Sequence, residues 1–345
     1  MKATKLPSGN WRCRVYLGTD PSGKQCWKSV TASTKTAALA AATDLMLLKP
    51  TADKGSFGSA VDRFIASRTI TLSPSTIRSY NSIRATLEKM ALWDASIYGI
   101  TTQSLRDLSA QLYAAGRSTK TVKNYVNFCT AVLRDEEIPV TSPRLPQKTR
   151  PELNIPDETT VLHVIDLVRG TDLELPVLLA AFGPMRRGEI CALRISDIKG
   201  DVIHVQRDLV LSPSKEWVEK PPKTLTSDRY ITMPSHVMER IRAAVPAEDG
   251  RLIDYNPNQL TDKFRRMLAR NHIQAFRFHD LRHFCCSYLH GMGVPDIYIM
   301  QRSGHATSAT LRQVYTHTLQ DQSAIQTAAI TKRFDTIYDT VCENP

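Results

Sequence analysis

The sequence predicts a mainly α fold of the α+β class, with a small N-terminal three-stranded sheet plus a helix, a helical bundle, and a mainly helical third region that holds a small antiparallel sheet. Strand-like alternation is confined to the N-terminal residues and to short segments after Val202. Helical periodicity without strands runs between Phe57 and Leu133. A chain of 345 residues, 42% of them hydrophobic, can fill the cores of two or three domains.

The N-terminal segment reads as a β-hairpin followed by a helix. Residues 10–17 and 25–30 alternate in polarity on either side of the turn-forming residues Asp20 to Lys24. The alanine- and leucine-rich stretch from Thr34 to Leu48 predicts a helix that packs across this small sheet.

Positive charge is concentrated at the N-terminus. The whole chain has a formal charge of +11, and the segment from Met1 to Lys54 contains nine Lys or Arg against three Asp. The next segment, up to Val140, contains ten against seven. A short, strongly basic module is typical of an arm that binds nucleic acid.

A bundle of about four helices and a linker follow. Phe57, Val61, Phe64 and Ile65 recur at helical spacing, and three further helices are predicted at 75–90, 101–114 and 118–133. Prolines at 139, 143, 146, 151 and 156 then mark a basic interdomain linker. In the third region, strands are predicted at 202–210 and 229–233, and helices at 176–181, 189–193, 259–270, 279–289 and 308–315.

Several classes of protein are excluded by the composition. No apolar run is long enough to cross a bilayer, and the residues after Met1 lack the apolar segment of a signal peptide, so we expect a cytoplasmic protein with no membrane partner. Seven cysteines without a C-x-x-C pair indicate neither a disulfide framework nor a cysteine zinc site.

Two polar segments of the third region can carry chemistry. Arg186 lies at a loop-to-helix junction, and Glu189 follows three residues later on the same helical face, where it can brace the arginine. A surface ion pair is the alternative. Lys223 precedes an alternating strand, as at the tip of a hairpin, where a lysine is usually only solvated.

Two more segments contain histidines. His279 and Arg282 lie one turn apart on a helix whose buried face is predicted to be formed by Leu281, Phe284, Cys285 and Tyr288, so that they can grip one anion together. An arginine at that place argues against a metal site. The last candidates are the pair Gly304-His305 and Tyr315, which follows His305 by ten residues. Each of these residues is unremarkable alone.

Taken in order, these segments resemble the catalytic set of the tyrosine recombinase (phage integrase) family, over most of the chain. The residues that match are Arg186, Lys223, His279, Arg282, His305 and Tyr315, with Glu189 in support. Two departures are Gly183-Pro184, where Thr-Gly is commoner, and Ser303, where leucine is usual. They change the local loops and remove no reacting group.

The resemblance implies an N-terminal arm-type DNA-binding domain at 1–54, a helical core-binding domain at 55–140, a linker at 141–153, a catalytic domain at 154–335 and a tail at 336–345. It also implies a site-specific recombinase that cleaves and rejoins DNA through a 3′-phosphotyrosyl intermediate. Tyr315 would attack phosphorus, while Arg186 and Arg282 bind the non-bridging oxygens. Lys223 would protonate the departing 5′ oxygen, His279 would accept or relay a proton, and His305 would bind a phosphate oxygen.

No cofactor and no metal are expected, because arginines supply the positive charge and the covalent intermediate conserves the bond energy. The expected partners are double-stranded DNA with core sites and arm sites, a homo-tetramer on that DNA, and DNA-bending or directionality factors in a bacterial host cell. A tail helix containing Ile325, Ala328, Ala329 and Phe334 docks either on a neighbouring protomer or on its own domain.

Three rival classes remain open at this point. A type IB topoisomerase would use a similar pocket to relax supercoils, and a DNA-binding regulator would explain the charge without needing the reactive residues. A metal-dependent nuclease is the weakest rival, because no carboxylates cluster near these segments.

Overall fold

The computed structural model describes residues 2–19, 25–47, 55–146, 154–222, 225–308, 311, 327–328 and 330–336. The chain divides into two compact units, Met1–Arg150 and Pro151–Pro345. Each unit is described by itself.

The first unit begins with an antiparallel three-stranded sheet in the order β1-β2-β3, followed by one helix. The elements are β1 (Ala3–Lys5), β2 (Trp11–Thr19), β3 (Gln25–Ala32) and α1 (Lys35–Leu47). Alternation along β2 directs Cys13 and Val15 into a small core shared with Ala42 of α1. The same alternation leaves Arg12 and Arg14 exposed on the other face.

A bundle of four helices completes the described part of this unit. The helices are α2 (Phe57–Arg68), α3 (Pro74–Leu87), α4 (Thr102–Ala114) and α5 (Thr119–Asp135). Ser56, Thr101 and Ser118 cap the N-termini of α2, α4 and α5 through their side-chain oxygens. The observed ends lie within three residues of the predicted ones, because the capping residues and the apolar spacing mark them locally.

The second unit is mainly helical around two small antiparallel sheets. Its elements are α6 (Glu158–Val168), α7 (Glu174–Phe182), α8 (Arg187–Ala192), β4 (Ile198–Lys199), β5 (Val202–Val205), β6 (Asp208–Leu211), β7 (Trp217–Lys220), β8 (Arg229–Thr232), α9 (Ser235–Ala243), α10 (Pro257–Arg270), α11 (Phe278–Gly291) and α12 (Asp296–Ser303). One sheet has the order β4-β5-β8, and β6 pairs with β7 as a hairpin. Together the two units confirm the predicted mainly helical α+β class.

Two local predictions for this unit are corrected. The single strand predicted over 202–210 is two strands, because Gln206 and Arg207 turn their side chains onto the buried carboxylate of Asp197. Tyr288 is exposed, although the helical pattern placed it on the buried face of α11. The helix predicted at 308–315 lies mostly outside the described residues.

The core of the second unit surrounds α7. This helix is buried from Leu175 to Ala181, and α11 packs along it. Because α7 ends immediately before the loop that carries Arg186, the rigid centre of the unit positions that loop. No helix among the described residues is long and apolar enough to span a membrane.

Candidate active site

Arg186 lies directly before α8 and is held by a carboxylate within the first turn of that helix. Glu189 Oε2 accepts a hydrogen bond from the backbone N–H of Arg186 at 2.8 Å, and Glu189 Oε1 accepts one from Arg186 Nη1 at 2.6 Å. The predicted contact between these two residues is therefore confirmed. The alternative of a surface pair is wrong, because the side chain of Glu189 is only 4% exposed.

Arg229, the first residue of β8, is a second cation on the same carboxylate. Its Nη1 and Nη2 donate to the two oxygens of Glu189 at 3.1 and 2.8 Å. Burial raises the pKa of Glu189, but the charge and hydrogen bonds of Arg229, followed by the charges of Arg186 and Arg282, lower it to about 2. Glu189 is therefore ionised at neutral pH and binds two guanidinium groups at once.

Arg229 is not among the site residues predicted from the sequence, although the family resemblance includes it, with Ser227, in the pattern that accompanies Lys223. An arginine at the start of an alternating strand looks like a solvated side chain, and 40 residues separate it from Glu189. Its position two residues after Ser227, in the segment that follows Lys223, is the only signal for it in the sequence. Arg229 Nε also donates to the backbone oxygen of Arg302 at 2.8 Å, so this side chain ties β8 to the end of α12.

Arg282 is a fully buried guanidinium in the middle of the second unit. Arg282 is only 1% exposed. Its Nη1 donates a hydrogen bond to the backbone oxygen of Pro184, and its Nη2 donates one to His305 Nε2 at 3.1 Å. Its Nε is buried and has no hydrogen-bond partner among the described residues. Burial, and then the charge of Arg186, lower the pKa of Arg282 to about 10, which leaves it charged at neutral pH.

The turn after α12 brings His305 to Arg282. Gly304 ends the helix in the left-handed conformation (φ +70°), and its carbonyl accepts a hydrogen bond from Arg186 Nη2 at 2.9 Å. A Cβ atom at this position would lie 3.1 Å from Arg229 Nη1. The turn therefore needs glycine both for its backbone angle and for the closeness of Arg229.

His305 is buried and neutral. Its Nδ1 lies 2.7 Å from the hydroxyl of Ser303, and its Nε2 receives the hydrogen bond from Arg282. Burial, followed by the charges of Arg282 and Arg186, lowers the pKa of His305 to about 3. The ring is therefore uncharged at neutral pH.

His279 is half-buried at the start of α11. Its ring packs edge-on against His283, with ring centroids 4.7 Å apart. Burial, followed by His283 and Arg282, lowers the pKa of His279 to about 3. The structure brings Arg186, Glu189, Arg282 and His305 together and places His279 one turn before Arg282. Lys223 and Tyr315 lie outside the described residues.

The site carries an excess of positive charge and of hydrogen-bond donors. Arg186 and Arg229 bind the one ionised carboxylate of Glu189, and the charge of Arg282 also lowers its pKa. Asp208 is the other carboxylate near Arg186, and burial raises its pKa. No group of three His, Cys, Asp or Glu residues that could hold a metal ion occurs in the part of the chain that the structure describes. The arrangement is suited to bind an oxyanion such as a phosphate ester.

Comparison with known sequences gives a family for this region. Residues 168–322 match the model of the phage integrase family. A XerC-like tyrosine recombinase of Caldanaerobacter subterraneus subsp. tengcongensis is 23% identical over 288 residues, which cover 68% of this chain and 73% of that protein.

Comparison with solved structures extends the similarity in fold over most of the chain. The integrase of transposon Tn1549, in complex with a circular intermediate DNA, aligns with a TM-score of 0.67 at 15% identity, over 80% of this chain and 99% of that one. A lambda integrase tetramer bound to a Holliday junction aligns with a TM-score of 0.58 at 16% identity, over 90% of this chain and 94% of that one.

Proposed function

This chain is a tyrosine recombinase of the phage integrase family, and from that identity we propose that it recombines the DNA of a mobile element at specific sites through a 3′-phosphotyrosyl intermediate. The single observation that carries this proposal is the buried Arg282, whose Nε has no partner among the described residues and whose charge acts with that of Arg186 on the carboxylate of Glu189. A buried, charged donor of this kind is well suited to a phosphate oxygen.

The two arginines stabilise the state in which phosphorus is attacked. Nucleophilic attack adds negative charge to the non-bridging oxygens, and planar guanidinium groups can bind those oxygens with paired hydrogen bonds. Arg282 is held by Pro184 and His305, and Arg186 by Glu189, so neither has to be ordered when the charge develops.

Tyr315 is the proposed nucleophile. Its oxygen forms a bond to phosphorus, the bond from phosphorus to the 5′ oxygen breaks, and the phenolic proton leaves. A phenol has a pKa of about 10, so that ionising it at neutral pH costs roughly 4 kcal/mol. The positive charge of the arginines offsets much of that cost.

Two residues are proposed to move protons. Lys223 protonates the departing 5′ oxygen as general acid, since a lysine is normally charged at neutral pH. His279 accepts the phenolic proton, directly or through water, because its low pKa leaves the ring neutral. The anionic DNA backbone raises that pKa when it binds, because an opposite charge favours the protonated ring.

The reaction needs neither ATP nor a metal ion in this proposal. The phosphotyrosyl ester conserves the energy of the broken bond, and the 5′ hydroxyl of another strand reverses the step. The arginines take the place of a metal in neutralising charge. Strand transfer should therefore persist in excess EDTA, and activity that depends on added Mg²⁺ would contradict this chemistry.

A suicide DNA substrate with a nick beside the scissile phosphate tests the proposed function. The cleaved strand cannot be rejoined, so the covalent adduct accumulates and its peptide can be identified. Tyr315→Phe should abolish the adduct and leave duplex binding nearly intact, because only the nucleophilic oxygen is lost. Tyr298→Phe, at an exposed tyrosine of α12, is the matched control and should form the adduct normally. An adduct that survives in Tyr315→Phe would refute this choice of nucleophile.

The same substrates separate the rival classes. Relaxation of supercoils without strand exchange would favour a type IB topoisomerase. Specific DNA binding with no adduct would favour a regulator, and hydrolysis that requires a metal would favour a nuclease.

We propose that α5 contacts the DNA core site. Lys120, Lys123, Asn124 and Asn127 are exposed and lie on one face of this helix, with no acidic residue among them. Lysines can bind phosphates, and asparagine amides can pair with the edge of adenine in the major groove.

We also propose that the outer face of the N-terminal sheet contacts a second, arm-type DNA site. Arg12 and Arg14 lie on that face, and the guanidinium of Arg14 sits 5.4 Å from the ring centre of Trp27. The rings of Trp27 and Tyr16 are 5.2 Å apart on the same face. A three-stranded sheet with exposed arginines fits a groove of DNA.

Deletion of residues 1–54 should spare cleavage at the core site and remove protection of the arm site in a footprint. Arg14→Ala should weaken arm binding alone. Lys28→Ala removes the same charge from the opposite face of the sheet and serves as the control. A footprint unchanged by the deletion would refute the arm assignment.

The remaining proposals concern assembly and location. We propose that the chain acts as a homo-tetramer on DNA in a bacterial cytoplasm, aided by DNA-bending or directionality factors.

The C-terminal helix is a candidate contact in that assembly. Residues 327–328 and 330–336 are helical, and Ile330 and Phe334 are exposed one turn apart. Ile325 and Ala329 lie outside the described residues. Truncation before Ile325 should impair assembly on paired sites if this helix docks on a neighbour.

A further inference from the structure

The β6–β7 hairpin packs directly against α8, the helix that follows Arg186. Gly188 in α8 makes this close packing possible, because a Cβ atom there would overlap Asp208 Oδ1 and would lie 2.9 Å from the backbone oxygen of Leu209. Leu209 is only 6% exposed, and a packed backbone cannot move aside as the end of a flexible side chain can. One end of the hairpin is therefore held next to the anion-binding site.

Asp208 and Lys220 join the two strands of the hairpin at that end. They lie directly opposite each other in the register of β6 and β7, and Lys220 Nζ is 3.7 Å from Asp208 Oδ2. Their side chains are 14% exposed for Lys220 and 27% exposed for Asp208, so solvent screens this ion pair only in part. Burial raises the pKa of Asp208 and the charge of Lys220 lowers it, while Glu189 raises it and Arg186 lowers it. The pair is thus close enough to the site to interact with its charges.

Lys223 follows the end of β7 by three positions in the sequence, with Pro221 and Pro222 between. Each proline fixes its own φ near −65° and restricts the residue before it to an extended conformation, so this spacer is short and stiff. After Lys223, the chain is held again, because Arg229 Nη1 donates a hydrogen bond to the backbone oxygen of Ser227 at 3.0 Å. The position of the strand end therefore controls the point from which Lys223 extends.

We propose that Asp208 and Lys220 are positioning residues for the general acid: their ion pair fixes the end of the β6–β7 hairpin so that Lys223 reaches the departing 5′ oxygen. This inference rests on the proposed function, in which Lys223 Nζ gives its proton to that oxygen while the bond from phosphorus to the oxygen breaks. Asp208 and Lys220 act only through Lys223 and do not touch the reacting atoms.

A suicide substrate in which sulfur replaces the departing 5′ oxygen isolates the general-acid step. A thiol has a pKa of about 8.5, against about 15.7 for water, so a thiolate leaves without being protonated. In single-turnover cleavage at saturating DNA, Lys220→Met and Asp208→Asn should each cleave the oxygen substrate about tenfold more slowly than the unaltered protein. Both variants should cleave the sulfur substrate at nearly the original rate, which would also show that they are folded.

Three further variants calibrate this comparison. Lys223→Met removes the acid itself and should lower the rate on the oxygen substrate by roughly 10²–10⁴, with recovery on the sulfur substrate. Arg282→Ala should be slow on both substrates, because sulfur does not replace a donor to the non-bridging oxygens. Lys215→Met is the matched control: it removes an exposed lysine from the turn of the same hairpin and should cleave both substrates normally.

The inference is overturned if either Lys220→Met or Asp208→Asn cleaves the oxygen substrate at the original rate. Equal losses on the two substrates would also overturn it, since the pair would then support Arg186 or the fold. If sulfur fails to restore Lys223→Met, Lys223 is not the general acid and the inference fails with that assignment. Failure of the unaltered protein to form an adduct with either substrate would instead refute the proposed function.

Discussion

The arginines of the helical bundle and those of the candidate active site have different electrostatic surroundings. In the bundle, Arg68 pairs with Asp135 at 2.6 Å, and Arg84 pairs with Asp62 at 2.6 Å, all with partly exposed side chains. In the site, Arg186 and Arg229 share the single carboxylate of Glu189, and the buried Arg282 has no carboxylate hydrogen-bonded to it among the described residues.

The arginines of the bundle are neutralised by carboxylates at a solvated surface, whereas those of the site have donors and charge available to bind a ligand. A partly exposed pair contributes at most about 1 kcal/mol, since solvent screens it and both side chains lose freedom. Buried guanidinium groups that outnumber their carboxylates are costly unless an anion joins them. The excess of charge therefore makes the site suited to bind a phosphate.

Among the arginine variants, the largest effect is expected for Arg282→Ala. Loss of a preorganised donor to the transition state should lower the cleavage rate by about 10²–10³. Single-turnover cleavage of the suicide substrate at saturating DNA measures this loss. Arg282→Lys should recover only part of the rate, because an ammonium group cannot replace the planar fork.

Arg68→Ala, in the bundle, provides the comparison for that measurement and should cleave at the normal rate once DNA is saturating. A loss in Arg282→Ala that is confined to DNA affinity would make Arg282 a positioning contact only. The contrast between the two regions would then fail.

A smaller, pH-dependent effect is expected for Arg229→Gln. Arg229 is the main group that lowers the pKa of Glu189, whereas burial raises it, so the variant should have a higher Glu189 pKa than the value of about 2 in the unaltered protein. The carboxyl group then protonates as the pH falls through this raised pKa, and Arg186 loses its acceptor. Cleavage by the variant should decline at a higher pH than cleavage by the unaltered protein.

Rate profiles between pH 4 and pH 8 measure this shift. Arg229→Lys keeps the positive charge and should keep the original acid limb. The charged groups around Glu189 are Arg186 on its own segment, Arg282 on α11 and Asp208 on β6. A uniform loss of rate at every pH would mean that Arg229 supports the fold without controlling Glu189.

The smallest effect is expected for the stability of Arg68→Ala. The guanidinium pairs with Asp135 and lies 3.7 Å from the ring centre of Phe64, but part of it is in solvent. We expect a loss of about 1 kcal/mol or less in the free energy of unfolding of the first unit, measured by denaturant titration. A loss of several kcal/mol would show that the bundle pairs are structural after all.

The contacts and helix ends that could be predicted from the sequence depend on residues close together in the chain. The contact between Arg186 and Glu189 spans three residues of one helical turn, so the sequence spacing is sufficient to expect it. The ends of the bundle helices follow from their capping residues in the same way.

The burial of Arg282 and the division of one strand could not be predicted, because both depend on contacts between distant segments of the chain. Helical periodicity treats an arginine as a solvent-facing residue, and it therefore predicts that Arg282 lies with His279 on a face other than the buried one. The partners that bury Arg282 come from Pro184 and His305, which are 98 and 23 residues away. The division of one expected strand at Gln206 likewise depends on Asp197, in a preceding segment.

The uncommitted N–H on Nε of Arg282 has a thermodynamic consequence for the resting protein. Arg282 Nε has no partner among the described residues, and a buried donor in that state costs about 1–3 kcal/mol, which the DNA-free protein carries. Occupation of this donor by a backbone phosphate would remove the cost, so the melting temperature of the second unit should rise on loading with substrate. The affinity for DNA and the thermal stability of the second unit are thus linked through the N–H group of Arg282 Nε.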